Sequence, residues 1–303
     1  MILSPRRHHH LTRVSILLVM VALTTGLAGC SRVVTYEIHD WYDLDSIRHS
    51  LGINYLLMND LDSSTAGYEE LASPIANGGK GWQPIGMALE MFRGLFDGRG
   101  YEITDLFINR PDEERVGLFA QQGLTGIIRS VGVVNATVIG SSLVGSLVGY
   151  NHGTVSNSYF TGNVSGTEQL GGLIGYNEGG SVSNSYSSGN VTGSSRVGGV
   201  VGQNMAGNVS DSYSTSSVAG YDHVGGLVGL NEDTVSNCFW DIETSGQGAS
   251  DGGTGKTTAE MKNIATFAGA GWNIIAITNP GTRNRSYIWN IVDGETYPFL
   301  SWQ

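Results

Sequence analysis

The sequence predicts an all-β chain, a right-handed parallel β-helix (solenoid) of coils about 27 residues long, on three observations. Glycine supplies 45 of 303 residues and charged side chains only 14%, against ordinary shares of roughly 7% and 25%. The signature Gly145-Ser146-Leu147-Val148-Gly149-Tyr150-Asn151 returns at 171–177, 198–204 and 225–231, its openings 26, 27 and 27 residues apart. Within a unit the alternation has strand period: Val182, Asn184 and Tyr186 share one parity, Ser181, Ser183, Ser185 and Ser187 the other. Self-similarity at a fixed period of this length marks a stacked array.

In chain order, residues 1–29 read as a leader and lie outside that array. Arg6, Arg7 and Arg13 form a positive segment, residues 14–23 an apolar run, and Leu27-Ala28-Gly29-Cys30 follows. The run is too short to span a bilayer, which takes about 20 residues. The small residues ending in Cys resemble the bacterial lipoprotein lipobox, which implies cleavage before Cys30 and lipid on its sulfur, an anchor strengthened by about 0.8 kcal/mol per buried CH₂. Losing the three leader arginines from 16 basic residues leaves 13 against 27 acids, a formal charge of −14. That acidity argues against nucleic acid as partner and suits an exported, self-repelling surface. Cys238 is then the one cysteine beside Cys30, so no internal disulfide is expected in the mature chain.

Residues 30–80 are expected to carry the anchor, an N-terminal capping helix and a first strand. Trp41, Leu44 and Ile47 fall at helical spacing behind Asp40, and residues 54–61 read as the strand. Residues 81–143 read as two degenerate coils, with apolar runs broken by turns such as Asp97-Gly98-Arg99-Gly100. Residues 144–243 hold the clear repeats. Each opening is followed by a second signature, Val155-Ser156-Asn157-Ser158-Tyr159 and its copies at 182–186, 209–213 and 235–239. Gly162-Asn163 and Gly189-Asn190 suit corners that need positive φ. Stacking at about 4.8 Å superposes equivalent residues. Tyr159, Tyr186, Tyr213 and Phe239 become an aromatic ladder, and Asn151, Asn177, Asn204 and Asn231 a ladder of corner amides. Cys238 takes the small-residue slot of Ser158, Ser185 and Ser212.

The two signatures together resemble the GLUG repeat of bacterial and archaeal surface proteins. The resemblance implies a β-helical, adhesin-like surface module and supplies no catalytic residues.

Residues 244–303 read as a C-terminal cap. Thr257 and Glu260 stand at capping-box spacing, Met261, Ile264, Ala265 and Ala268 continue a helical stripe, and residues 272–277, 287–292 and 297–300 read as strands closing the last coil. Gly252-Gly253-Thr254-Gly255-Lys256-Thr257 resembles a phosphate-binding loop, but Ser250 stands where its first glycine belongs, so no nucleotide is expected. His39, His49, His152 and His223 form no HExxH pattern, no Cys/His cluster suggests zinc, and there is no GxSxG elbow. Asp112-Glu113-Glu114 and Asp241-Ile242-Glu243 read as solvated turns, and no repeated Gly-Gly-x-Gly-x-Asp pattern supports calcium. No metal or organic cofactor is implied.

The expected role is that of a non-catalytic, exported lipoprotein held to the membrane through Cys30, adhesive or envelope-organising, with a surface glycan or protein as ligand. One alternative is a glycan-binding module that uses Trp240, Trp272, Trp289 and Trp302 as stacking platforms. Another is a polysaccharide lyase or hydrolase, since β-helices host both. The expectation is of no enzyme.

Overall fold

A computed structural model describes residues 34–87 and 90–303. Cys30 and the leader lie outside the described residues.

The repeats wind into a parallel β-solenoid of about five turns. One coil has four strands: Ser181–Ser183, Tyr186–Thr192, Ser195–Gly198 and Val201–Met205. Each pairs in parallel with its counterpart one coil away, with Val155, Val182, Val209 and Val235 in one file and Asn151, Asn177, Asn204 and Asn231 in another. Fourfold repetition of the sequence therefore becomes in-register stacking, and every strand inherits a neighbour of its own type. Ile127–Ile139 runs uninterrupted and pairs with both Thr154–Ser156 and Tyr159–Ser165, so two strands of later coils begin as one. Leu95–Thr104, Phe107–Asn109, Glu114–Val116 and Phe119–Gln122 make the coil before it. Thr35–Ile38 and Asn54–Leu57 add two more parallel strands.

The interior is a file of branched aliphatics. Val155, Val182, Val209, Leu170, Val197, Ile174, Val201 and Val228 are all fully buried, each contributing on the order of 1.5–3 kcal/mol. The helix Trp41–Ser46 starts at Asp40, whose side chain accepts from the Asp43 amide, and it adds Trp41 and Leu44 to the same core, with Ile47 just beyond.

The repeat grammar differs from the sequence expectation at the corners. Gly162 and Gly189 lie inside the strands Tyr159–Ser165 and Tyr186–Thr192. The left-handed corner residues are instead Asn157, Asn184, Asp211 and Asn237, with φ of 49, 48, 47 and 51°, a region Asn and Asp tolerate. That corner breaks the two-residue alternation. Val182 faces the interior while Tyr186, expected on the same face, belongs to a separate apolar cluster outside it.

The chain end differs too. Residues 246–256 close the last coil: the Gly226 amide donates to Ala249 O, Ser250 Oγ accepts from the Leu227 and Val228 amides, and Thr254–Lys256 pairs with Phe239–Asp241. Residues 257–268, expected to be helical, form two short helices, Thr258–Met261 and Ile264–Ala268, and the strands beyond, expected to close that coil, form instead a separate sheet of Ile274–Ala276, Trp289–Ile291 and Phe299–Leu300. Met261, Phe267, Trp272, Trp289, Ile291 and Leu300 cluster on the outward tyrosines. The physical reason is the corner asparagine: it turns the aromatic file outward, and that file needs a cover along the side of the coils.

Candidate functional site

The repeated polar residues are spent on each other. Asn177 donates one amide hydrogen to Asn204 Oδ1 at 2.7 Å and the other to the corner carbonyl of Gly180 at 3.1 Å. Asn151 and Asn204 repeat the pattern, at 2.7 Å to Asn177 and 2.8 Å to Asn231. Ser158, Ser185 and Ser212, read from sequence as part of a face of small hydroxyls, are fully buried. Ser185 Oγ accepts from the Ser158 amide at 3.2 Å while its hydroxyl donates to Ser183 O at 2.8 Å. Cys238 fills the same slot, its thiol donating to Ser236 O, and burial pushes that thiol up to about 12.

Tyr159, Tyr186 and Tyr213 stack with ring centroids 4.9 Å apart and planes within 6°, an arrangement worth about 0.5–1.5 kcal/mol per pair beyond burial. Phe239 is next in register. The C-terminal segment grips this file along its length. Trp272 Nε1 donates to Asn237 O, Tyr213 OH to Pro298 O, Gln303 Nε2 to Tyr186 OH and Trp302 Nε1 to Asn157 O. Burial raises the Tyr213 hydroxyl well above its ordinary range.

Asp241 corrects another expectation. It is fully buried and accepts from the Glu243 and Thr244 amides, Thr258 Oγ1 at 2.7 Å and Tyr297 OH at 2.6 Å. Burial works against its charge, yet those hydrogen bonds outweigh it and hold the carboxyl below the usual carboxylate range. Asp241 thus ties the last coil to the C-terminal segment. Glu113, of the other acidic run, accepts from Arg110 and Lys80.

The tryptophan platform is corrected by burial. Trp240 and Trp272 are 6% exposed and Trp289 0%, all consumed by packing, so of the four candidates only Trp302 keeps a partly exposed ring. Lys256 belongs to a strand and lies 3.9 Å from Glu260, so the glycine run before it is no phosphate loop. Among the described residues no group of three or more His, Cys, Asp or Glu could hold a metal ion, and no helix is long and apolar enough to cross a membrane.

A second row escaped the sequence reading. Arg115, Leu143, Gln169, Arg196 and His223 occupy successive left-handed positions, φ 50 to 59°. Arg115 lies 5.4 Å over the Tyr150 ring, Tyr150 stacks on Tyr176 at 5.3 Å, and Gln169 donates to Gln203 at 2.7 Å. These residue types have no common chemistry, which is why no motif marked the row; only its period did.

Residues 140–165, 166–192 and 193–219, three consecutive coils, match the family model of the GLUG motif. Over 100 residues the chain is 42% identical to halomucin of Haloquadratum walsbyi, a match covering 33% of this chain and 1% of that protein. Over 127 residues it is 38% identical to a candidate Gly-rich membrane protein of Evansella cellulosilytica, covering 40% of this chain and 14% of that one. The chain thus spans a small part of these relatives. The crystal structure of a candidate immunoglobulin A1 protease from Bacteroides ovatus superposes with a TM-score of 0.59 at 19% identity, over 89% of this chain and 93% of that one. This is a likeness of fold.

Proposed function

We propose that the chain is an exported surface β-solenoid, anchored by lipid on Cys30, that adheres to or organises envelope polymers without catalysing their cleavage. One observation carries the reading: the residues that recur in every coil bond to one another, as in the run of amides from Asn151 to Asn231, so the repeats build a wall. A rigid wall suits a load-bearing or adhesive part. The match of three coils to the GLUG motif, and relatives named as a halomucin and a membrane protein, support an envelope setting.

The test is binding of the chain to a broad panel of glycans and envelope polymers, with sugar release followed in parallel. Saturable binding without released product is expected. Product release overturns the non-catalytic reading, and silence in both arms leaves a structural spacer. Cys30→Ala is expected to abolish incorporation of labelled fatty acid; persisting label would refute the anchor.

A further inference from the structure

We propose that a cleft between the C-terminal segment and the coil corners binds an acidic saccharide, a sugar carrying a carboxylate; the proposal rests on the surface-binding reading above and names its ligand class. The cleft, about 310 Å³, is lined by Ser130, Asn157, Asn273, Arg285, Tyr287 and Trp302 among others, a volume at the small end of the roughly 300–1,000 Å³ usual for ligand sites.

Its groups are unevenly satisfied, in contrast to the ladders. Asn157 Oδ1 is buried with no hydrogen-bond partner among the described residues. Asn273 Oδ1 accepts from the Ile288 amide at 2.7 Å, which leaves its Nδ2 hydrogens to donate. Arg285 is exposed and forms no hydrogen bond or ion pair among the described residues.

That free guanidinium is informative because of the company it keeps. The chain has 27 acids to 16 bases, yet the cleft is lined by one arginine and no carboxylate. Four described arginines meet acids, Arg48 with Asp45, Arg110 with Glu113, Arg129 with Asp97 and Arg196 with Glu168, while Arg115 and Arg283 are held by a ring and by backbone carbonyls; Arg285 has neither kind of partner. A planar fork with five donors and no internal acid can donate bidentately to a carboxylate. Trp302 supplies the apolar side. Its indole N–H is fixed on Asn157 O at 3.2 Å and its ring packs on Tyr159 at 5.7 Å, so a partly exposed aromatic is held in place before any ligand arrives. Fixed ring, amide donor and free guanidinium together match the apolar face, hydroxyls and carboxylate of a uronic acid.

The experiment is calorimetric titration of the full chain, held in mild detergent, with trimers containing galacturonate, mannuronate or glucuronate, and with the neutral trimer cellotriose. At least one uronate trimer is expected to bind saturably and more tightly than cellotriose, and Arg285→Ala to weaken it about tenfold. Because Arg285 is exposed and forms no hydrogen bond or ion pair among the described residues, that variant is expected to melt with the parent. Failure of every uronate trimer to bind, or undiminished binding in Arg285→Ala, overturns the proposal. If Arg285→Ala loses nothing, or no uronate trimer binds while the parent still binds other polymers of the broad panel, the cleft is wrong and the surface-binding reading stands; if no uronate trimer binds and the panel is silent as well, both fall.

Discussion

Asn177 sits inside a run of four amides and uses both of its amide hydrogens, one along the stack and one on its own corner. Truncating it leaves Asn204 Oδ1 without its donor and Asn151 without the acceptor of one amide hydrogen in a dry corner. Asn177→Ala is expected to destabilise the fold by about 2–3 kcal/mol, measured by urea unfolding, and a loss under 0.5 kcal/mol would mean the ladder is ornamental. Asp241 makes a prediction of opposite character, because its partners lie on another segment. Its folded carboxyl is held below the ordinary value, so its stabilisation is full above an unfolded pKa of about 4 and fades as pH falls through the lower folded one. The gap in melting temperature between parent and Asp241→Asn is therefore expected to be wide at pH 7 and to close towards pH 2; a gap independent of pH would sink the assignment.

Among the elements, the tight arc that joins strands such as Glu168–Gly171 and Ile174–Glu178 admits no side chain at its entry, Gly171. A Cβ on Gly171 would lie 2.1 Å from Ile174 O and 2.6 Å from Val200 O, backbone atoms of its own coil and of the next. Gly171→Ala is expected to cost more than about 3 kcal/mol through forced backbone movement, read by denaturation or by loss of soluble expression, whereas Gly248→Ala, with open space around its Cβ, should be neutral. Much of this level was legible in sequence. The spacing of the openings gave the coil, Asn151 to Asn231 gave the amide file, and Thr257 with Glu260 gave a capping box that the structure contains. The direction of the tyrosines was not legible. Asn184 sits between Val182 and Tyr186, and strand alternation alone cannot tell that this residue takes a left-handed conformation and leaves Tyr186 outside the core that Val182 enters. The burial of Trp272 and Trp289 was hidden for the same reason, since their partner surface exists only once that turn is made.

For the body of residues 34–303, stability divides between stacked coils, each leaning on its neighbours, and a C-terminal segment fastened across several coils at once. One end of that segment is pinned by Trp272 on Asn237 and the other by Trp302 on Asn157, three coils apart, about 14 Å at the usual strand spacing. Inserting a second copy of residues 166–192 after Thr192 should leave a sound solenoid, since stacked repeats tolerate an added neighbour. It should also separate the two pins by one further coil. The expected result is an intact coil array whose residues 257–303 are released to protease and whose tyrosines bind a hydrophobic dye; an insert still braced end to end would show that the segment adapts. In most tandem arrays the number of copies drifts freely, because slippage during replication adds or drops whole units without penalty. Here two tryptophans at a set separation act as a gauge block, and a gene that gained or lost a unit beneath them would encode a protein unable to close its own seam.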